Sequence, residues 1–422
     1  MRSLPLFLLL FPLAGLFFAP QTFAQNAPPK LLLSPTRARR LSRDHTRMTE
    51  RWANLDQRVA SEQASPERGF ELALFYSVTG DAGAADEAIR WAAAHPDEFR
   101  QVALVADWCR DRMSSEQQAA LLSAATERLS QQGHEFPSPS RYRDALFLTL
   151  ARTGSPPADL DNWWARTMSL VKKHGWPWLA QPAELYALAE IITVVRDFTH
   201  TDLRSGSGTE FELLPTEYLL SLRPAQVETP DWETRIAALA LVDVDPNMTP
   251  SQFLQGWAME DPRVIRSGPG IAYEFLWANP YLPGLSYYNL DPWSYDPDAG
   301  VLYLRSSWDA NSCWIRIDDA GVAEQDCPAG WRDHPFEAGH LTLAPLPESG
   351  CVDVPHQGAV NNPSLVRSLI LWGVPPGAQF LYKSDNKLVS HYADRSGMLR
   401  VPSSGEDRIC LAGAHDAHRG KH

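Results

Sequence analysis

The chain has 422 residues, with 38 Lys and Arg against 51 Asp and Glu and a formal net charge of −13 at pH 7. A chain this acidic has no overall attraction for nucleic acid or an anionic membrane, so any grip on an acidic polymer has to be local. Its length and its 44% of apolar residues suffice for two or more domains, each with its own core.

Arg2 precedes an apolar run from Leu4 to Phe18, and Thr22-Phe23-Ala24 ends on a small residue followed by polar Gln25-Asn26. That layout is a secretory signal removed on export, which predicts a periplasmic or secreted protein of bacterial type. Read as an uncleaved anchor, the stretch is cut by Pro12, Gly15 and Pro20 to below the ~20 apolar residues a bilayer requires. No later segment reaches that length, so no transmembrane segment is expected after cleavage. Arg37, Arg39, Arg40, Arg43, Arg47 and Arg51 then form the only dense basic run, read as the solvated face of a helix.

From about residue 45 to 278 the apolar period is helical. Phe99, Val102, Ala103, Ala106, Cys109 and Met113 recur three and four apart, the spacing of one helix face. Pro96-Asp97-Glu98 opens that helix with a proline and acids. Ser115 and Gln118 have capping-box spacing at the start of the next. Further helices are predicted near 67–79, 82–94, 141–153, 158–173, 182–198, 213–222, 231–241 and 250–278, joined by Gly/Pro/Ser punctuation. Some ten helices in succession read as paired helices in an array or closed toroid.

After Asp291-Pro292-Trp293 the period becomes two. Val301–Arg305, Cys313–Ile317, His340–Leu343 and Leu369–Trp372 read as strands of an antiparallel, sandwich-like region. The division expected is a signal at 1–24, a helical domain over 25–290, a β-sandwich-like region over 291–365 and a small terminal β-unit over 366–413. A disordered tail over 414–422 carries His415, His418 and His422 and is read as a frayed end. The fold class is thus α+β and multidomain. Four of five cysteines (Cys313, Cys327, Cys351, Cys410) fall in the β part, where export allows a disulfide; Cys313 with Cys327 is attractive because they flank a hairpin. Cys109 reads as a buried free thiol.

Several strings carry a family resemblance. Val105-Ala106-Asp107-Trp108-Cys109-Arg110-Asp111-Arg112-Met113-Ser114, the stretch Asp298 to Asp309 with its Arg305-Ser306-Ser307-Trp308, and Asp333-His334-Pro335-Phe336-Glu337-Ala338-Gly339-His340 resemble heparinase II/III-like proteins over most of residues 70–345. The resemblance implies an exported polysaccharide lyase with an α/α toroid packed on a β-sandwich. It also implies β-elimination of an acidic, uronic-acid polysaccharide. Such a reaction needs a base, an acid and a neutralising partner for the uronate carboxylate. Family members supply Tyr and His for the proton transfers, and some hold a metal on the sandwich. The cofactor is left open here, with a divalent metal the candidate and no residue assigned to it.

On the family's H-x-H-x-D pattern, Glu337 takes the aspartate position while Asp333 and Pro335 stand at the two histidine positions. The catalytic set implied is therefore Tyr186, His334 or His340, and Glu337, with Arg196 as the carboxylate clamp. Glu184, His200, Trp178, Tyr287 and Trp293 are the remaining candidate sugar-binding residues. Glu184, Tyr186 and Arg196 lie on a helix otherwise apolar almost all round, where polar groups need partners or a ligand. The alternative is that Glu184 and Arg196 pair with neighbouring helices and Tyr186 packs in the core. Fifteen tryptophans add flat faces for sugar rings or simply fill gaps between helices. Three functions follow: an active lyase, a non-catalytic glycan-binding or scaffolding relative with a degenerate site, or a helical-repeat interaction protein. The last would leave the cleft between the halves without polar groups.

Overall fold

The computed structural model describes residues 30–61, 64–131, 136–207, 210–296, 300–305, 307–318, 323–326, 341–345, 351–353, 368–372, 377–384, 387–393, 399–402 and 408–411. The expected signal (1–24) and tail (414–422) lie outside them, as do Cys327, His334, Glu337 and His340.

The described chain is mostly helical, with a β part following. The helices are α1 (Pro35–Thr46), α2 (Glu50–Ala60), α3 (Arg68–Thr79), α4 (Ala82–Ala94), α5 (Phe99–Trp108), α6 (Ser115–Ser130) and α7 (Pro139–Thr153). They continue as α8 (Leu160–His174), α9 (Pro182–Thr199), α10 (Glu210–Ser221), α11 (Pro224–Glu228), α12 (Trp232–Val244), α13 (Thr249–Ala258) and α14 (Ile271–Trp277). Helix α6 is capped by Ser114, whose hydroxyl accepts from Gln117 N while the Gln117 side chain accepts from Ser114 N. The capping box thus sits one residue earlier than its sequence spacing suggested. The single helix expected over 250–278 is two, because Pro262, Gly268, Pro269 and Gly270 break the ladder between α13 and α14.

Every residue of α5 and α14 is buried, as are most of α9 and α12. Those faces pack in succession: α3 on α5, α5 on α7, α7 on α9, α9 on α12, α12 on α14, and α14 back on α3 and α2. The same arrangement divides the basic run: Arg39, Arg43 and Arg47 are exposed, as a solvated face requires, while Arg37 and Arg40 turn inward. Arg37, Arg40 and Asp44 share the inward side of α1 at 5–7% exposure. Arg40 donates to the carbonyls of Leu276 and Ala278, and Arg37 to the Leu32 carbonyl and the Asp243 carboxylate. The last carbonyls of α14 have no partner within their own helix, and the Arg40 guanidinium supplies one from outside. Arg51, from α2, adds a 3.0 Å pair with Glu274, which Arg235 of α12 also holds. Burial, followed by the charge of Arg37, lowers the Arg40 guanidinium to about 10.

The connector out of the helices crosses α13 at Gly256, where an added Cβ would stand 1.8 Å from the Leu285 carbonyl oxygen. Only glycine permits that approach. The β part comprises β1 (Trp293–Asp296), β2 (Val301–Arg305), β3 (Trp314–Asp318), β4 (Ala323–Asp326), β5 (Leu341–Pro345) and β6 (Cys351–Asp353), then β7 (Ser368–Trp372), β8 (Gln379–Ser384), β9 (Lys387–Tyr392), β10 (Leu399–Pro402) and β11 (Arg408–Leu411). Strands β1 to β4 form one antiparallel sheet in chain order. The others pair as β10-β7-β5 and β6-β11-β8-β9. The pairing is antiparallel as expected except for β5 with β7, which is parallel because a long connection, not a hairpin, joins them. Strands β5 and β6 pair with β7 and β11, so hydrogen bonds cross the division expected at 365/366. Cys109 is buried and free, while Cys313 is disulfide-bonded.

Candidate functional site

Two polar assemblies stand out. The first fills the middle of the helical domain. Arg100, on α5, donates to both Glu190 oxygens (2.7–3.1 Å), to Tyr186 Oη at 2.9 Å and to Tyr273 Oη at 3.1 Å. Tyr186 donates to Glu190 and accepts from Trp277 Nε1 at 2.9 Å. Arg143 reaches the other Glu190 oxygen at 3.2 Å, and Tyr273 donates to Glu67 at 2.7 Å. Arg100 also lies over the rings of Phe70, Tyr186 and Tyr273. Each of these donors has an acceptor, which is how buried charge is tolerated. Burial pushes the Tyr186 phenol well above its ordinary value, and Arg100 offsets only part of that. With 3% of its surface exposed and its hydroxyl bonded on every side, Tyr186 is a core residue that stitches α5, α9 and α14 together.

The second assembly is a cleft of ≈ 400 Å³ where the helices meet the β1–β4 sheet. The sheet is fastened to the end of α10. Trp314 donates to the Leu220 carbonyl at 2.7 Å and Arg305 to the Leu222 carbonyl. These are the helix's terminal acceptors, satisfied from another element as such groups require. Strand register then sets the wall of the cleft. Ser294, Tyr303, Arg316 and Glu324 lie in one row across β1, β2, β3 and β4, with Asp296 and Val301 paired beside them. Side chains in such a row share a face. Opposite stand Glu217 of α10, Arg223, and Trp176 from the α8–α9 connection.

Glu217 is the unusual member of this set. It is 3% exposed, borders the cleft, and makes no hydrogen bond or ion pair with any described residue. Burial, with the nearby Asp296 carboxylate adding to it, raises its carboxyl to about 8, so it is a neutral acid at pH 7. On the rim, Glu324 is shared by Arg316 at 3.3 Å and Arg223 at 3.6 Å. Burial, and then Glu217, pushes the Tyr303 phenol up to about 12. The cleft therefore combines a neutral carboxyl, two guanidiniums over one shared carboxylate, and an indole. Its volume falls in the range of small-ligand sites.

The expected residues do not gather at one place. Tyr186 lies four residues, about 6 Å along α9, from Pro182 at the cleft's edge, but its hydroxyl is held among α5, α9 and α14. Glu184 accepts from Ser140 N at 2.8 Å and from the hydroxyls of Ser138 and Ser140, closing the start of α7. Arg196 is about 15 Å farther along α9 than Tyr186 and donates to the Val244 carbonyl at 2.9 Å. His200 takes a left-handed conformation (φ 56°) to end the helix. Tyr287 is buried, accepting from Arg263 at 3.1 Å, and Trp178 is half-buried beside Trp176. Trp293 is buried in β1 with its indole N–H unpaired. His334, Glu337 and His340 are beyond the described residues. Among the described residues there is no His, Cys, Asp and Glu grouping that would hold a metal ion.

Sequence reasoning missed Glu217, Asp296, Tyr303, Arg223, Arg316 and Glu324. The available signal was the lone carboxylate in Leu214-Pro215-Thr216-Glu217-Tyr218-Leu219-Leu220. The same logic that singled out Glu184 and Tyr186 applies to it. No protein-family model matches the chain, and no curated protein matches it either.

Proposed function

We propose that the protein is an exported carbohydrate-active protein that holds a unit of an acidic polysaccharide in the cleft between its helical and β parts. The observation that carries this reading is the junction cleft, where Trp176, Arg223, Arg316 and the unpartnered Glu217 line one cavity. Indole faces stack on the C–H faces of sugars, while carboxyl and guanidinium groups bond their oxygens. These charged groups weigh against the helical-repeat interaction reading, which expects a cleft without them. The finer architecture belongs to the same proposal. The closed order of helix contacts supports an α/α toroid-like domain, and burial of Leu302, Leu304 and Ile315 on the far face of the first sheet supports a sandwich-like β part. The disulfide at Cys313 and the signal-like first 24 residues support export.

Lytic chemistry, where it occurs, belongs in this cleft and not at Tyr186. There the neutral Glu217, with Arg316 or Arg223, would hold and neutralise the uronate carboxylate, Asp296 would take the proton α to it, and water in the cleft would protonate the leaving oxygen. The test is to titrate the mature protein with a panel of acidic and neutral oligosaccharides, following heat and tryptophan fluorescence, then ultraviolet absorbance of the unsaturated uronide. Binding without absorbance identifies a glycan-binding protein, and binding with absorbance a lyase. Failure of every glycan to bind refutes the proposal.

A further inference from the structure

Glu217 is a long carboxyl side chain on an otherwise apolar helix segment, 3% exposed and without a hydrogen-bond partner among the described residues. Such a group is costly to bury unless something bonds it. Glu217 lines the cavity and is not sealed in the packing. A ligand can therefore reach it.

Asp296 of β1 is the charged group that acts on it, and the cleft is further lined by Tyr303 of β2, Arg316 of β3, Glu324 of β4, Arg223 and Gln226 beyond α10, and His174 at the end of α8. The Arg223 and Arg316 charges are balanced by Glu324 and Asp296. The lining is thus neutral only while Glu217 keeps its proton. In that state an entering carboxylate brings a single negative charge and meets an O–H donor, the strong, charge-assisted kind of hydrogen bond. Were Glu217 ionised, the same ligand would bring a second excess negative charge next to Asp296.

Resting on the proposed glycan reading, we infer that Glu217 is the specificity residue of the cleft: it binds as a carboxylic acid, donates its proton in a hydrogen bond to a uronate carboxylate, and so couples capture of the sugar to proton uptake. The proton stays on the Glu217 side of that bond, and no covalent bond is made or broken. Since burial already holds the group near 8, the proton is present before binding at pH 6–7 and must be taken up from solvent at pH 9. A ligand hydroxyl in place of the carboxylate would remove the coupling, because an ionised Glu217 accepts from a hydroxyl as readily as a neutral one donates to it.

The test uses the whole mature protein and three probes, oligogalacturonate, oligomannuronate and heparin-derived oligosaccharides, each beside its carboxyl-reduced counterpart. Calorimetry is run from pH 6 to 9.5 in pairs of buffers with different ionisation heats. A His174→Gln background removes the only imidazole among the described residues that line the cleft. For the probe that binds, affinity should stay level to about pH 8 and then fall by about tenfold per pH unit, with proton uptake approaching one per sugar bound. Glu217→Gln, a neutral isostere that still donates, should bind within about threefold of the parent at pH 7 and hold that affinity to pH 9.5. Glu217→Leu, with an unchanged circular dichroism spectrum, should lose binding. The carboxyl-reduced probe should bind more weakly and without proton uptake. Binding by the parent that ignores pH, or a Glu217→Gln variant that declines in parallel with it, overturns this inference while leaving the glycan reading intact. Absence of binding by every probe to parent and Gln variant alike at pH 6–7 overturns both.

Discussion

Glu217 also makes a claim about stability that can be tested without any ligand. Its carboxyl titrates near 8 in the folded protein against an ordinary 4.5. The displacement of about 3.5, at about 1.36 kcal/mol each, sets a ceiling of about 5 kcal/mol on the pH-dependent contribution. Because the folded value is raised, the contribution is fully present below pH 4.5 and is lost as pH rises towards 8. Over that window the unfolded chain releases a proton that the folded chain retains. Even part of that ceiling is a large fraction of a typical domain's stability. Glu217→Gln is neutral at every pH and fits the same space. Urea unfolding of parent and variant from pH 4 to 9 should give coincident midpoints at the acid end and a growing advantage for the variant up to pH 8–9. Other titrating groups are shared by the two proteins, so the difference isolates position 217. A constant offset between the two curves, or a parent that gains on the variant as pH rises, would refute the assignment of a buried neutral acid.

Tyr186→Phe should lower stability by about 2–3 kcal/mol, because Trp277 Nε1 and one Arg100 N–H lose their acceptor. Glycan binding at the cleft should remain within twofold; loss of binding or of lytic activity at unchanged stability would restore Tyr186 as a functional group. Arg40→Met leaves the Leu276 and Ala278 carbonyls without their donor and should cost about 2–4 kcal/mol, read as a lower urea midpoint and as faster proteolysis between α1 and α2. Thiol titration of the unfolded, unreduced protein should find fewer than five free thiols, with Cys109 among those that react. Five reactive thiols would rule out the disulfide at Cys313.

Much of the helical half is legible in the sequence, and the reason is local. Apolar residues three and four apart, proline at the first helical position of α7 and α9, and glycine in the left-handed region after α3 and α7 each act within a few residues of chain. The change to strands after Pro292 is visible because a period of two is equally local. What the sequence does not assign is which polar side chains meet. Arg40 reads as solvated until α14, more than 200 residues later, lays its terminal carbonyls against it. Glu184 and Arg196, on a buried helix, read either as lining residues or as partners of neighbouring helices, and Ser140 of α7 and the Val244 carbonyl of α12 decide for the second. Tyr186 is rightly singled out as needing partners, but whether those are ligand or protein depends on Arg100, Glu190 and Trp277 converging from three helices. Glu217 gives only the faintest local signal, since its desolvation comes from a sheet that begins some 75 residues downstream and docks on the end of α10. Helix and strand follow from short-range sterics and periodicity, whereas the partner of a buried charge is settled by distant segments brought together, and that is where the tertiary structure decided the site.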